Sequence, residues 1–147
     1  MDQHHFRLTA NWDGGRNGVG ALEIGNLKSA ISAPKELDGP GTGTNPEEML
    51  MGAAATCYLI TLAAILEKRA LPVRKLTMET EGIVSTVGGT HFEQIIHHPH
   101  IVLAADATEE QVETANAAIL RAEKACMISK ALSGNVEVKA IPTVTKE

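Results

Sequence analysis

Apolar and polar positions along this chain fall into two periodicities. Residues 5–12 (HFRLTANW), 19–24 (VGALEI) and 27–33 (LKSAISA) alternate as half-buried strands do. Asp13-Gly14-Gly15-Arg16-Asn17-Gly18 lies between the first two, and Gly25-Asn26 between the second and third. Both are turns by chemistry, since Gly and Asn tolerate positive φ. The opening is therefore expected to be a three-stranded antiparallel meander. Val73 to Val87 and His91 to Ala104 read as a second, longer hairpin closed at Gly88-Gly89, with Pro99 marking an edge position or a bulge. Val136 to Val144 reads as a last strand after the Ser133-Gly134-Asn135 turn. A 3.6-residue period marks Val112, Ala115, Ile119, Ala122 and Cys126, so a helix starting at Thr108 should bury that stripe, Cys126 included.

The remaining stretch, Asn45 to Glu67, has no polar face. Asn45 suits an N-cap, Pro46 the first helical position and Glu48 the returning arm of a capping box, and the helix should end near Ala70, before Pro72. From Met49 to Leu66 it carries no formal charge. A helix apolar all round is buried on every side. The run has about the minimum length of a membrane span. Its Gly52, Thr56, Thr61 and many alanines, with no second span or aromatic belt, point instead to burial in protein.

Composition adjusts this picture in three ways. The 147 residues show no internal composition shift, so one domain, 1–147, is expected. Aromatics amount to 3%, which leaves the core to Ala, Leu, Ile, Val and Met and favours a partner subunit to complete it. A net charge of −5 without a basic run argues against nucleic acid or an anionic membrane as partner. The N-terminus lacks a signal-peptide pattern, which predicts a cytoplasmic location, where cysteines are free, metal-bound or redox-active rather than structurally bridged.

Cys57 and Cys126 are the two cysteines, 69 positions apart, and no CxxC motif accompanies them. Each is either a small core residue or a reactive thiol. Arg16 sits in a glycine-rich turn and Glu47 in the first turn of the helix that carries Cys57. Ten residues, about 15 Å of helix rise, separate Glu47 from Cys57, so one straight helix cannot bring them together. If Cys57 is reactive, a cation must be brought to it, and Glu47 holds that cation only from another copy of the helix. His97, His98 and His100 surround Pro99; His98 and His100 share a strand face and are candidate metal ligands. No Cys or carboxylate stands at ligand spacing, which favours solvated or interface histidines.

GGRNG at 14–18, GTNPEEML and GAAATCY between 43 and 58, and CMISKAL at 126–132 together resemble the OsmC/Ohr family of thiol-dependent organic hydroperoxide reductases. The likeness covers nearly the whole chain in order. It implies an α+β fold, an intertwined homodimer in which antiparallel sheets enclose two long central helices per subunit. It also implies a cofactor-free site at the subunit interface, with Cys57 as peroxidatic cysteine, Cys126 as resolving cysteine, and Arg16 and Glu47 beside them. The implied partners are an organic hydroperoxide and a dithiol reductant of lipoyl type. A different class of function stays open: a dimeric OsmC-like protein that binds a small apolar or thiol-bearing molecule without turnover.

Overall fold

The structure, a computed structural model, describes residues 2–147. It divides into two compact units, Met1–Leu50 and Met51–Glu147.

In the first unit β1 (Thr9–Asp13), β2 (Val19–Ile24) and β3 (Leu27–Ile31) form the expected antiparallel meander. Pairing of β1 runs from Thr9 opposite Glu23 to Asp13 opposite Val19. Residues 5–8, expected to extend that strand, lie beyond this pairing, and for residues 5–7 the register leaves no β2 residue opposite, since β2 ends at Ile24. The loop after β3 folds back on it: Thr44 N–H donates to the Ala30 carbonyl at 2.9 Å and Ser32 N–H to the Thr44 carbonyl at 3.1 Å. Gly43 makes this return possible. Its φ is +68°, and a Cβ there would collide with the Ala30 carbonyl. The buried Ser32 hydroxyl bonds both the N–H and the carbonyl of Thr42, at 2.8 and 2.9 Å. α1 (Pro46–Lys68) starts where the sequence places it, with Asn45 Oδ1 accepting from Glu48 N–H at 2.8 Å. The Glu48 carboxylate does not close the capping box and accepts from the Thr44 hydroxyl at 3.0 Å.

In the second unit β4 (Val73–Ser85) and β5 (His91–Leu103) pair antiparallel along their whole length. α2 (Glu109–Ala125) begins with a complete capping box between Thr108 and Gln111. A short helix, α3 (Met127–Leu132), follows at once. The expected last strand is split into β6 (Glu137–Ala140) and β7 (Thr143–Lys146), and both run parallel to β5 rather than antiparallel. Pro142, with no N–H to give, falls at the break.

That break corrects the reading of Pro99. It is neither on an edge nor at a bulge: β5 is flanked by β4 on one side and by β6 and β7 on the other, and Pro99 is fully buried. β6 ends opposite His97 and β7 begins opposite His100, so no ladder bond is asked of the proline on that side.

α1 also differs from the all-round burial its composition suggests. It buries Ala54, Tyr58, Leu62 and Leu66, one residue per turn. From Tyr58 onward this stripe packs into a core with Ile101, Leu103, Ile119 and Ala122. Its other faces are open, and Ile60 is 66% exposed. By length and hydropathy α1 is the one helix among the described residues able to cross a membrane, but its stripe is a packing face. The Tyr58 hydroxyl donates to the Ile119 carbonyl at 2.7 Å and ties α1 to α2.

His97, expected to be solvated or at an interface, is fully buried within the chain, with its ring stacked on Tyr58 at 4.7 Å and Nδ1 2.9 Å from the Thr80 hydroxyl. Its Nε2 has no partner. Burial, and after it the nearby His98, lowers its pKa to about 4. A base depressed in the folded state stabilises the fold fully above its unfolded pKa, and that contribution is lost as pH falls toward the folded value. The expected window is from about 6.5 down to about 4, with at most about 3 kcal/mol involved. Urea unfolding of the wild type and of His97→Phe at pH 7, 5.5 and 4.5 checks this. The difference between the two should shift by a kilocalorie or more, and parallel profiles would refute it.

Candidate active site

Cys57 lies midway along α1 and is half-buried. Cys126 is not on the α2 stripe, as its spacing suggests, but is the residue that joins α2 to α3. Its backbone is extended (φ −65°, ψ 125°), and its side chain is fully buried. The junction brings that side chain near α1, close enough for the two thiols to influence each other's ionisation while both remain free.

The two thiols are electrostatically unequal. Burial alone raises the Cys57 pKa, but hydrogen bonds from the Cys126 thiol and from the N–H groups of Ile128 and Met127 outweigh it, leaving Cys57 below its ordinary value. Thr61 also faces this sulfur. Its single hydroxyl proton is already given to the Cys57 carbonyl at 2.8 Å, so it contributes least. Cys126 moves the other way: burial raises it, and so does its hydrogen bond to Cys57, while the Ser129 side of the turn offsets part of the rise. The arrangement favours ionisation at Cys57 over Cys126, which keeps its proton the more tightly of the two.

The donors come from α3. First-turn N–H groups of a helix have no intrahelical acceptor, and those of Met127, Ile128 and Ser129 lie near enough to the two sulfurs to favour their charged forms. Sequence reading missed these groups. Ser129 three residues after Cys126, and Thr61 four after Cys57, are the spacings that signal them.

Arg16 and Glu47 belong to the first unit, where they do not pair. The Arg16 guanidinium donates to the Leu37 carbonyl at 2.6 Å, to the Asp38 carbonyl at 3.5 Å and to Asn17 Oδ1 at 2.7 Å. Asp38 holds positive φ (+62°), which closes the short 3₁₀ turn over Lys35–Leu37 that presents these carbonyls. Glu47 Oε1 is buried and has no partner. Among the described residues no three His, Cys, Asp or Glu side chains gather as a metal site, and His100 Nε2 instead meets the Thr145 hydroxyl at 2.8 Å.

An α+β chain with a half-buried thiol on a long helix and a second thiol at a helix junction defines a class, and comparison places it. The family model described as "OsmC-like protein" matches residues 39–140, and the chain belongs to that family. It is 54% identical over 140 residues to the uncharacterized protein YmaD of Bacillus subtilis, covering 95% of this chain and 93% of that one. It is 30% identical over 136 residues to the organic hydroperoxide resistance protein of Xanthomonas axonopodis pv. citri, covering 90% and 91%. Among solved structures it resembles an organic hydroperoxide resistance protein OsmC from Legionella pneumophila, with a TM-score of 0.73, 27% identity, and coverage of 97% and 99%.

Proposed function

We propose that this chain, acting over residues 1–147 as one cytoplasmic domain, is a cysteine-based peroxidase that reduces organic hydroperoxides to alcohols. The observation that carries this reading is the unequal thiol pair: a lowered Cys57 in contact with a raised Cys126. A lowered thiol is the nucleophile such chemistry needs, and a neighbouring protonated thiol can resolve its product. The names of the Xanthomonas and Legionella relatives support the substrate class.

In the proposed reaction the Cys57 thiolate attacks the terminal oxygen of the hydroperoxide. The O–O bond breaks, the departing alkoxide takes a proton and leaves as alcohol, and Cys57 becomes a sulfenic acid. Cys126 then displaces water to form the Cys57–Cys126 disulfide, which a dithiol, of lipoyl type by family resemblance, reduces again. The same reading assigns Arg16 to the thiolate and to the peroxide oxygen, with Glu47 of a second copy orienting it. Glu47 Oε1, buried without a partner, is an acceptor available for that pairing. No further cofactor enters the scheme.

The test is thiol counting. Reduced protein treated with excess cumene hydroperoxide is expected to lose both free thiols within seconds and regain them with dihydrolipoamide. If both thiols survive the peroxide, the peroxidase reading falls and the dimeric binding role takes its place.

A further inference from the structure

Ser129 is buried, with 7% of its surface exposed, and its Oγ has no hydrogen-bond partner. A buried hydroxyl left unpaired is destabilising, so its persistence needs an explanation. Its position supplies one. Cys126 is the N-cap of α3 and Ser129 occupies the third helical position, the pair of positions that face each other across a helix start. Neither group closes a cap hydrogen bond onto Cys126 in the reduced protein, yet the N–H and the hydroxyl of Ser129 both favour the charged form of that sulfur.

In the reduced protein burial holds Cys126 in its neutral form, so it presents no negative charge for Ser129 to meet. That changes during disulfide closure. The Cys126 sulfur supplies an electron pair to the Cys57 sulfur and the new S–S bond forms. The S–O bond of the sulfenic acid breaks, and the departing hydroxide takes the Cys126 proton and leaves as water. Negative charge develops on Cys126 as the proton departs, and a hydroxyl facing it gains an acceptor only then. An interaction made only as charge develops accelerates the step that develops it.

We infer that Ser129 is a positioning residue for the resolving thiol: its hydroxyl donates to Cys126 as that sulfur becomes a thiolate, and so sets the rate of disulfide closure. The inference about closure rests on the peroxidase reading proposed above, whereas the Ser129–Cys126 interaction itself does not.

Two measurements separate these. In a Cys57→Ser background the Cys126 thiolate is titrated by its absorbance near 240 nm, with Ser, Ala or Thr at position 129. Ser129→Ala is expected to raise the midpoint by about one pH unit, the size of a hydrogen bond to a charged group. Ser129→Thr, which keeps the hydroxyl, should restore it. An unchanged midpoint in Ser129→Ala overturns the inference whether or not the protein consumes peroxide. With both cysteines present, one equivalent of cumene hydroperoxide should leave the Ser129→Ala sulfenic acid trappable by dimedone about tenfold longer than in the wild type. Equal lifetimes would likewise overturn it. A wild type that forms no sulfenic acid counts against the peroxidase reading, while the titration still decides the Ser129 contact.

Discussion

Cys57→Ser is expected to abolish hydroperoxide consumption, whereas Cys126→Ser should complete one turnover and stop at a stable sulfenic acid. The asymmetry follows from the thiol pair. A serine hydroxyl at position 57 is not ionised near neutral pH, so no nucleophile remains for the O–O bond. The loss should reach at least a thousandfold, the background of uncatalysed thiol chemistry being slow. Cys126→Ser removes the resolving sulfur but keeps a side-chain donor of similar shape. The first step should therefore persist within about tenfold, since only one of the hydrogen bonds that favour the Cys57 thiolate is weakened. Because Cys57 is lowered, its alkylation rate in the wild type should level off at a pH below that of a free cysteine, and in Cys126→Ser the plateau should move upward. Mass spectrometry after a single equivalent of cumene hydroperoxide reads the outcome. A mass gain of one oxygen in Cys126→Ser and none in Cys57→Ser is the expected pattern, and equal loss of the first step in both variants would dissolve the assignment of roles.

The second large effect concerns assembly. Charge on the open face of α1, introduced by Ile60→Glu, is expected to turn a dimer into a monomer. Ile60 is 66% exposed in the single chain, in the middle of an uncharged run from Met49 to Leu66, and its helix buries only a four-residue stripe internally. An apolar face of that length calls for a cover wherever it would otherwise meet water. If a second copy supplies it, two unpaired carboxylates would be desolvated at the interface, at a cost of several kcal/mol each. Sedimentation velocity at micromolar concentration checks both halves. The wild type should run as a dimer and Ile60→Glu as a monomer, and a compact wild-type monomer would remove the shared site altogether. The Cys57–Cys126 contact lies within one unit of one chain. The monomeric variant should therefore keep its thiol pair, yet react more slowly with peroxide if Glu47 of the second copy orients Arg16. That split tells loss of assembly from loss of the fold.

What the sequence by itself determined is local. The Asn45 cap, the Thr108–Gln111 capping box and the Gly25 turn are interactions between groups two to four residues apart, so the chain specifies them before it folds. The two cysteines, Arg16 and Glu47 stand out through short motifs for the same reason. The tertiary structure decided what depends on distant residues. Pro99 takes a central strand because β6 and β7 part opposite it, some 40 residues later in the chain. His97 is buried because Tyr58 and Thr80 meet its ring from other elements. Cys126 comes near Cys57 because the α2–α3 junction turns it inward, and burial with that proximity makes the two thiols unequal. Periodicity reports which residues prefer to be covered; it carries no information about what arrives to cover them, and the chemistry of this pair depends on the arrival.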